Sequence, residues 1–297
     1  MSSSQIRLHA SAIITPSYVG DFERCQLLCQ SMDRFVTGHT AHYILVDNED
    51  FELFKPLAGP NRHVVNEQDL LPSWLKVGRS GFGKSARKVW YSFKTLPMRG
   101  WHVQQLRRIA IAAHLDDEAM LYCDSDMMFV RPFDVASLWH GDLLRLYRIP
   151  GAITGDMKEH VQWSRLASKL VGAPVPSASH DDHINNLVSW RRGHVIAMCR
   201  QIERLSGRHW VSAIGRHRSF SECQIYGAFV ANLPEAEFGH FGDDQALCQT
   251  YWSGEALTGH SLPAFVETMQ PHQVAIGIQS FTDTDPALLR DHLDRAA

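Results

Sequence analysis

The sequence has no strong excess of charge of either sign. Its 297 residues carry a formal net charge of −3, and the pI is about 6.6. Proteins that bind nucleic acid or an anionic membrane through their overall charge carry a large positive excess. Binding of that kind is therefore excluded, and a phosphate-bearing partner would need a local site. We expect no nucleic-acid partner.

The sequence also lacks the cysteine spacing of a disulfide or zinc framework. Its six cysteines include no C-x-x-C pair, and Cys123 lies inside an apolar run. This pattern indicates free thiols in a reducing compartment. No apolar core follows a positively charged N-terminal region, and no window approaches the roughly eighteen apolar residues of a membrane span. We therefore expect a cytoplasmic protein without a transmembrane segment.

In its first half the sequence alternates strand-like with helix-like segments. Three segments contain strand-like apolar runs: 9–15; 42–50, which runs into an acidic turn; and 62–72. Residues 21–35 and 102–115 have apolar side chains at helical spacing, and Asp21 stands where a helix N-cap is expected. This order predicts an α/β fold with a mostly parallel sheet flanked by helices. Ligands of such sheets bind at the carboxyl ends of the strands.

Other segments are less regular. The segment 73–101 is basic, aromatic and contains glycine, and we predict that it begins as a loop. Gly81, Gly83 and Lys84 resemble a phosphate loop only superficially, because the G-x-x-x-x-G-K-[ST] spacing is absent. Two interpretations stay open: a surface loop, and a mobile basic lid over a phosphate-bearing substrate. After residue 150 we predict helices over 156–172, 219–233 and 243–252 and a strand over 273–281.

The most informative segment is EAMLYCDSDMMFVRPFD, residues 118–134, in which two aspartates interrupt an apolar run. Asp124 and Asp126 are two positions apart, so on extended backbone both carboxylates point the same way. Burying two like charges is costly, and a divalent cation removes the repulsion. Oxygen ligands favour Mg²⁺, Mn²⁺ or Ca²⁺, and open coordination positions would accept a departing diphosphate. The alternative is a turn with solvated aspartates.

This segment resembles the D-x-D region of glycosyltransferases of the GT-A fold: an apolar strand, D-S-D, an apolar pair and RPFD. Four further segments resemble a group of bacterial glycosyltransferases often described as a domain of unknown function: GWHVQQLRRIAIA, VSWRR, SECQIYGAFV and IGIQSF. The resemblance implies a GT-A-like (Rossmann-like) sheet with an irregular C-terminal acceptor-side region. It also implies one domain over 1–297, with a nucleotide-sugar-binding half of about 8–150 and an acceptor-side half of about 151–297.

The activity implied by the resemblance is metal-dependent sugar transfer. Manganese, or magnesium, would bind with a nucleotide-sugar donor, and a UDP-sugar is favoured. The acceptor would be a saccharide or a lipid-linked molecule, as in surface polysaccharide synthesis. Such a role also allows peripheral association with a membrane. These expectations rest on the family and not on composition or spacing.

The resemblance assigns roles to residues of the first half. Asp126 becomes the direct metal ligand, and Asp124 contacts the ribose and reaches the metal directly or through water. Thr15 and Tyr18, in the segment TPSY, lie where such enzymes hold the nucleotide, and Tyr18 is able to stack on the base. Asp47 lies where an acid near the base is common. For TPSY the alternative is an ordinary turn at the end of a strand, and for Asp47 it is an exposed acidic residue in a turn.

Other assignments have more than one candidate. Gln104 or Gln105 would reach the sugar from the helix before the D-x-D segment, although glutamine is also common on helix surfaces. GT-A enzymes commonly add a late histidine to the metal, and His240 and His272 are the candidates, each with a structural alternative. The SHDDH segment, 179–183, is expected to be an acceptor-side or surface element.

Inverting transfer needs a general base, usually a carboxylate, that accepts the proton of the acceptor hydroxyl. Glu222, about 100 residues beyond the D-x-D segment, is the first candidate, and Asp243 and Asp244 compete with it. Retaining enzymes of this fold need no such base, in which case Glu222 would bind the acceptor. The sequence leaves the stereochemistry open.

Three other function classes compete with the transferase. A phosphatase of the haloacid dehalogenase type also has D-x-D after a strand, but normally near the N-terminus and with Thr or Val where this chain has Met127 and Met128. A nucleotidyltransferase usually has an early glycine-rich basic segment, which TPSYVGDF lacks. A non-catalytic nucleotide-sugar-binding module is the third, and the intact Asp124–Asp126 pair argues against it.

Overall fold

The computed structural model describes residues 9–81 and 87–295. Gly83 and Lys84, from the segment that resembles a phosphate loop, lie outside the described residues. The strands in chain order are β1 (Ser11–Pro16), β2 (Val36–Thr37), β3 (His42–Val46), β4 (Arg62–Asn66), β5 (Lys76–Ser80), β6 (Arg87–Ser92), β7 (Thr95–Met98), β8 (Ala119–Cys123), β9 (Met127–Phe129), β10 (Phe133–Asp134), β11 (Trp139–His140), β12 (Leu143–Tyr147), β13 (Ile149–Ile153), β14 (His180–Asp182), β15 (Leu187–Arg191), β16 (His240–Asp243), β17 (Cys248–Tyr251) and β18 (Ala275–Ile278).

The helices in chain order are α1 (Phe22–Phe35), α2 (Phe51–Phe54), α3 (Glu67–Leu70), α4 (Gly100–Ala110), α5 (Lys158–Val171), α6 (Arg192–Ser206), α7 (Trp210–Ile214), α8 (Glu222–Ala231), α9 (Glu235–Phe238), α10 (Ser261–Glu267) and α11 (Pro286–Arg295). Short 3₁₀ helices cover Val19–Asp21, Lys55–Leu57, Ile111–His114, Val135–Leu138 and Ser280–Thr282. Within the described residues, none of these helices has the length and hydropathy needed to cross a bilayer.

Five strands form the central sheet, in the order β4–β3–β1–β8–β15. All its pairs are parallel except that of β15 with β8 at one edge. The predicted α/β fold, with a mostly parallel sheet flanked by helices, is therefore confirmed. The chain runs outward from β1 to β3 and β4, then returns to the other side of β1 with β8. Strand order reverses between β1 and β8, where such sheets open at their carboxyl ends.

Apolar side chains cover both faces of this sheet. On β8, Met120 and Tyr122 pack into a core that includes residues of α4 and α8. Leu121 and Cys123 pack on the opposite face, into a core that includes residues of α1. Successive side chains of a strand point to opposite faces, so a strand covered on both sides needs apolar residues at every position. The D-x-D segment begins where β8 ends.

The segment 73–101 begins with a turn at 73–75, as predicted, but most of its described residues are not loop. Strands β5, β6 and β7 form an antiparallel sheet there. Side chains alternate along β6: Trp90 is buried and its Nε1 donates to Glu67 Oε1 (3.0 Å), while Tyr91 is exposed. At the β6–β7 turn, Ser92 Oγ accepts a bond from the backbone N–H two residues on (3.0 Å). Basic residues on the solvent side of these short strands obscured the alternation in the sequence.

The helix predicted over 243–252 is also wrong, because the segment contains β17, paired in parallel with β18. The apolar spacing there fits either state, and pairing with a distant strand decides it. Elsewhere in the second half, α5, α8 and β18 lie within their predicted ranges and confirm them. Gly172, at a left-handed φ of 70°, ends α5 as predicted.

Candidate functional site

A cavity of about 830 Å³ opens beyond the carboxyl ends of β1 and β8. Six residues that were predicted from the sequence line it: Tyr18, Gln104, Gln105, Asp124, Asp126 and Glu222. The second half contributes α8, the segment between β14 and β15, and the turn after β18. The position follows from the reversal of strand order, which leaves room between the loops that follow β1 and β8.

One arginine bridges two of these carboxylates. Arg108 of α4 donates through Nη1 to Glu222 Oε1 (2.8 Å) and through Nη2 to Asp124 Oδ1. The arginine and glutamate side chains are almost fully buried, and that of Asp124 is one quarter exposed. Gln105 Oε1 accepts the backbone N–H of Glu222 (2.9 Å), which further fixes the start of α8. Asp124 therefore has a cationic partner within the protein itself.

A second pair of carboxylates has no such partner. Asp21 Oδ2 accepts from Ser125 Oγ (3.1 Å), and Asp126 Oδ2 accepts from the backbone N–H of Ser280 (3.3 Å). The other oxygen of each aspartate, Oδ1, is buried without a hydrogen-bond partner. Burial and the charge of Asp21 raise the pKa of Asp126 to about 6, and burial also raises the pKa of Asp21. The two carboxylates thus form a repulsive, incompletely bonded pair.

Asp21 was expected to cap α1, and the structure corrects this. It stands at the N-cap position but makes no side-chain capping bond, because its carboxylate turns to Ser125 in the D-x-D segment. Arg24, one turn further along α1, lies close enough to lower the pKa of both aspartates in part. Its guanidinium donates to backbone carbonyl oxygens of Ile278 and Thr284 instead of to the carboxylates.

The unpartnered oxygens suit a hard divalent cation. Carboxylate oxygens are the preferred ligands of Mg²⁺ and Mn²⁺, and a cation would satisfy both orphaned atoms at once. Within 9–81 and 87–295, no group of three or more His, Cys, Asp and Glu side chains is arranged to hold a metal. A cation held by Asp21 and Asp126 would consequently keep open positions for ligand oxygens.

Aromatic side chains from two parts of the chain line the cavity. Tyr18, half exposed, follows β1 next to Asp21. Trp101 and Trp163 lie with ring centroids 5.7 Å apart, and His160 packs on the latter at 4.8 Å. Trp163 Nε1 donates to Ser219 Oγ (2.6 Å), which fixes the indole ring. The cavity thus has an aromatic residue beside the carboxylates and an aromatic wall on the side of α4 and α5.

The chain matches, over residues 7–295, a family model described as "Family of unknown function (DUF6492)". The chain belongs to this family. A sequence search of curated proteins finds no significant match. Among solved structures, the chain is similar to the galactosyltransferase LgtC in complex with donor and acceptor sugar analogues. The TM-score is 0.44, the sequence identity is 11%, and the match covers 90% of this chain and 86% of that one.

Two residues that the sequence predicted for the nucleotide site, Thr15 and Asp47, are not among those that line the cavity. Thr15 is buried within β1, where its Oγ1 lies 2.9 Å from His42 Nε2. Asp47 is buried beyond the end of β3, where Lys88 Nζ donates to its Oδ2 (2.8 Å) and the backbone N–H of Glu49 to its Oδ1 (2.9 Å). Asp47 is thus engaged in an ion pair with β6 and is not an exposed turn residue.

The structure also does not bring the late histidines to the aspartates. His240 is buried, with Nδ1 2.9 Å from the Leu144 carbonyl and Nε2 2.9 Å from the Tyr226 hydroxyl. Burial lowers the pKa of His240 to about 3, so the ring is neutral, and its lone-pair nitrogen already accepts from the tyrosine. His272, in the turn before β18, and the exposed Asp244 are not among the lining residues.

Sequence reasoning missed several residues of this site. Asp182 of the SHDDH segment lines the cavity and accepts from Gln224 Nε2 (3.2 Å). The missed residues include Asp21, Arg108, Trp101, His160, Trp163, Asn185 and Asn186. An arginine on the buried side of an amphipathic helix, between Leu106 and Ile109, was the available signal for Arg108, because a buried cation needs an anion.

Proposed function

We propose that the protein is a glycosyltransferase that moves a sugar from a nucleotide-sugar donor to a saccharide or lipid-linked acceptor. The observation that carries this proposal is the cavity at the strand-order reversal, where buried carboxylates with unpartnered oxygens adjoin Tyr18. Ligand cavities generally measure about 300–1,000 Å³, and one of about 830 Å³ is roomy enough for a nucleotide sugar. The resemblance of the D-x-D segment supports the same activity.

The donor would lie along the loops that follow β1 and β8. Tyr18 would stack on the base, and Asp124, held in place by Arg108, would accept from ribose hydroxyls. We favour a UDP-sugar, with Mn²⁺ or Mg²⁺ bound at the buried carboxylates. When bound, such an ion stabilises the charge of a departing diphosphate. Burial of Tyr18 and the negative charge of Asp21 both raise the pKa of its hydroxyl, so the hydroxyl is neutral beside the carboxylates.

Glu222 is the candidate for contact with the acceptor hydroxyl, since Asp244 is exposed and off the cavity wall. In an inverting reaction, Glu222 would accept the proton of the acceptor hydroxyl. The hydroxyl oxygen would bond to the anomeric carbon of the donor sugar while the bond from that carbon to the diphosphate breaks. In a retaining reaction, Glu222 would bind the hydroxyl instead. Both roles need an oriented carboxylate, and the bonds from Arg108 and Gln105 supply the orientation.

The acceptor would lie against the aromatic wall of Trp101, His160 and Trp163. Sugar rings present flat C–H faces that pack on aromatic rings, while their hydroxyls need hydrogen-bonding partners. Amide side chains nearby provide such partners: Gln104, Asn185 and Asn186. We place the reaction in the cytoplasm, in the synthesis of a bacterial surface polysaccharide.

The test is manganese-dependent thermal stabilisation by UDP, GDP and CMP. We expect one nucleotide to raise the melting temperature in the presence of Mn²⁺, and Asp126→Ala to abolish the shift. Asp116→Ala, an exposed residue before β8, is the matched control and should keep it. Absence of any nucleotide effect, together with hydrolysis of phosphate esters, would instead favour a phosphatase. The ion pair of Asp124 with Arg108 argues against that alternative, because it engages the aspartate that would be the nucleophile.

A further inference from the structure

We infer that Asp21 and Asp126 are the carboxylate pair that binds the divalent cation, and that Arg108 holds Asp124 outside the cation's ligand shell. This inference rests on the proposed function and changes one of its ligands. It departs from the sequence-based expectation, in which Asp124 and Asp126 share the metal.

The three aspartates differ in the hydrogen bonds that their carboxylate oxygens accept. Asp124 Oδ1 accepts from a guanidinium, whereas Asp21 Oδ1 and Asp126 Oδ1 are buried and accept from nothing in the described structure. Asp21 as a residue is 7% exposed. An unpartnered buried oxygen on an anion is costly, and two such anions side by side cost more. A cation between them removes both penalties.

The remaining oxygens of this pair are already oriented. Ser125 Oγ donates to Asp21 Oδ2, and the backbone N–H of Ser280 donates to Asp126 Oδ2. These bonds come from the D-x-D segment itself and from the turn after β18, so two separate parts of the chain fix the pair. Outer contacts of this kind orient metal ligands and tune their affinity. A cation near Asp124 would instead meet the positive charge of Arg108.

The experiment titrates Mn²⁺ into the metal-free full-length protein, with and without UDP. Binding is measured as the decrease in the electron paramagnetic resonance signal of free Mn²⁺. We expect Asp21→Asn and Asp126→Asn each to weaken binding at least about tenfold, because each removes a charged ligand. Without UDP, Asp124→Asn should bind Mn²⁺ nearly as the wild type does, and Asp116→Asn serves as the control for loss of an exposed aspartate.

Melting temperatures of the metal-free variants guard against effects of misfolding. Asp21→Asn should raise the melting temperature, because it removes one of two like charges and keeps an acceptor for Ser125. Asp124→Asn should lower it, because Arg108 loses a charged partner. Loss of Mn²⁺ binding in Asp124→Asn with retention in Asp21→Asn would overturn the inference and leave the glycosyltransferase proposal on the D-x-D pair. No Mn²⁺ binding by the wild type, with or without UDP, would overturn both.

Positive charge is concentrated in one segment of the chain. Residues 73–101 contain seven Lys and Arg and no Asp or Glu, so the rest of the chain carries a net charge of −10. In the structure this segment forms the sheet of β5, β6 and β7, whose outer face and turn expose aromatic side chains. Phe93, at the β6–β7 turn, is fully exposed, and Tyr91 is half exposed. Fully exposed phenylalanine at a projecting turn is unusual for a surface that faces only water.

Two exposed basic residues lie at this end of the sheet: Lys94 in the turn itself, and Lys76, which pairs with Tyr91 of β6. In the described part of the segment, Arg79 and Arg87 are exposed at the opposite end of β5 and β6, and Arg99 is exposed after β7. The loop that contains Arg216 and Arg218 adjoins β7, because Leu96 N–H donates to the Gly215 carbonyl (2.8 Å). We also propose that the β6–β7 turn, with Phe93 at its tip, docks on an anionic lipid bilayer. Phe93 would enter the interface while the basic residues face the lipid headgroups. A projecting turn offers no groove for nucleic acid.

This second proposal is tested by sedimentation with vesicles. The wild type should bind vesicles of phosphatidylcholine with phosphatidylglycerol, and binding should fall at high salt and with phosphatidylcholine alone. Phe93→Ser and Lys94→Glu should each weaken binding about tenfold. The matched controls are Phe281→Ser, also exposed, and Arg290→Glu on α11, a helix that packs on α1.

Three outcomes would overturn the docking proposal. Equal binding to zwitterionic vesicles would remove the role of charge. Unchanged binding by Phe93→Ser would remove the role of the turn, and this variant is a fair test because the exposed ring has no packing to lose. Tighter binding to a single-stranded RNA oligonucleotide than to anionic vesicles would assign the surface to nucleic acid.

Discussion

Replacement of Arg108 by leucine perturbs the site most sharply, because one guanidinium serves two carboxylates. The side chains of Arg108 and Glu222 are 8% and 7% exposed. Removing one partner of a buried ion pair typically costs about 3–5 kcal/mol, since the other charge stays buried. The contact with Asp124 adds less, because that side chain is 25% exposed and its charge is screened. We expect a loss of about 3 kcal/mol in the free energy of unfolding.

The assay is urea unfolding of the metal-free protein, with Glu222→Leu and the double variant completing a cycle. The double variant should be more stable than Arg108→Leu alone, because it no longer contains the uncompensated glutamate. Arg204→Leu, on the exposed side of α6, is the control and should change stability by less than about 0.5 kcal/mol. A decrease of less than about 1 kcal/mol in the free energy of unfolding for Arg108→Leu would refute the ion pair of Arg108 with Glu222. So would strictly additive effects of the two single substitutions in the double variant.

Three further predictions concern single side chains. Burial lowers the pKa of His240 to about 3, so its neutral ring contributes stability above the unfolded pKa of about 6.5, and this contribution is lost as the pH falls. The loss of stability in His240→Asn, measured by urea unfolding, should therefore shrink by about 2 kcal/mol between pH 7.5 and 5. A constant deficit would contradict a buried neutral ring. Tyr18→Ala should weaken nucleotide binding about tenfold by calorimetry, while Tyr18→Phe keeps the stack; equal losses in both would exclude stacking. Trp101→Ala and Trp163→Ala should raise the KM for acceptor without altering donor affinity, and an effect on the donor alone would exclude the aromatic wall as the acceptor site.

The central sheet was accessible from the sequence because its signals are local. Strands β1, β3 and β8 are apolar at successive positions, and α1 and α4 show helical spacing. The β5–β7 sheet and β17 escaped prediction for a different reason. Their pairing partners, not their own residues, decide their state, and basic residues on a solvent face mask the period-two pattern.

The site was accessible only in part. A pair of aspartates inside an apolar run is visible in a sequence, whereas the partner of each aspartate is a matter of three-dimensional packing. Asp21, expected to cap a helix, contacts the D-x-D segment across 104 positions, and Arg108 reaches Glu222 across 114. Among 17 histidines, His240 was a reasonable metal ligand until its two nitrogens were found to be engaged by Leu144 and Tyr226.

The most direct test of the proposed activity is nucleoside diphosphate release from a panel of nucleotide sugars incubated with the protein and Mn²⁺. Water serves as a poor acceptor in such an assay, so no knowledge of the natural acceptor is needed. We predict release from one donor, most readily a UDP-sugar, that chelation of Mn²⁺ or Asp126→Ala abolishes and Asp116→Ala preserves. No release from any donor, with no stabilisation by any nucleotide, would contradict the glycosyltransferase account.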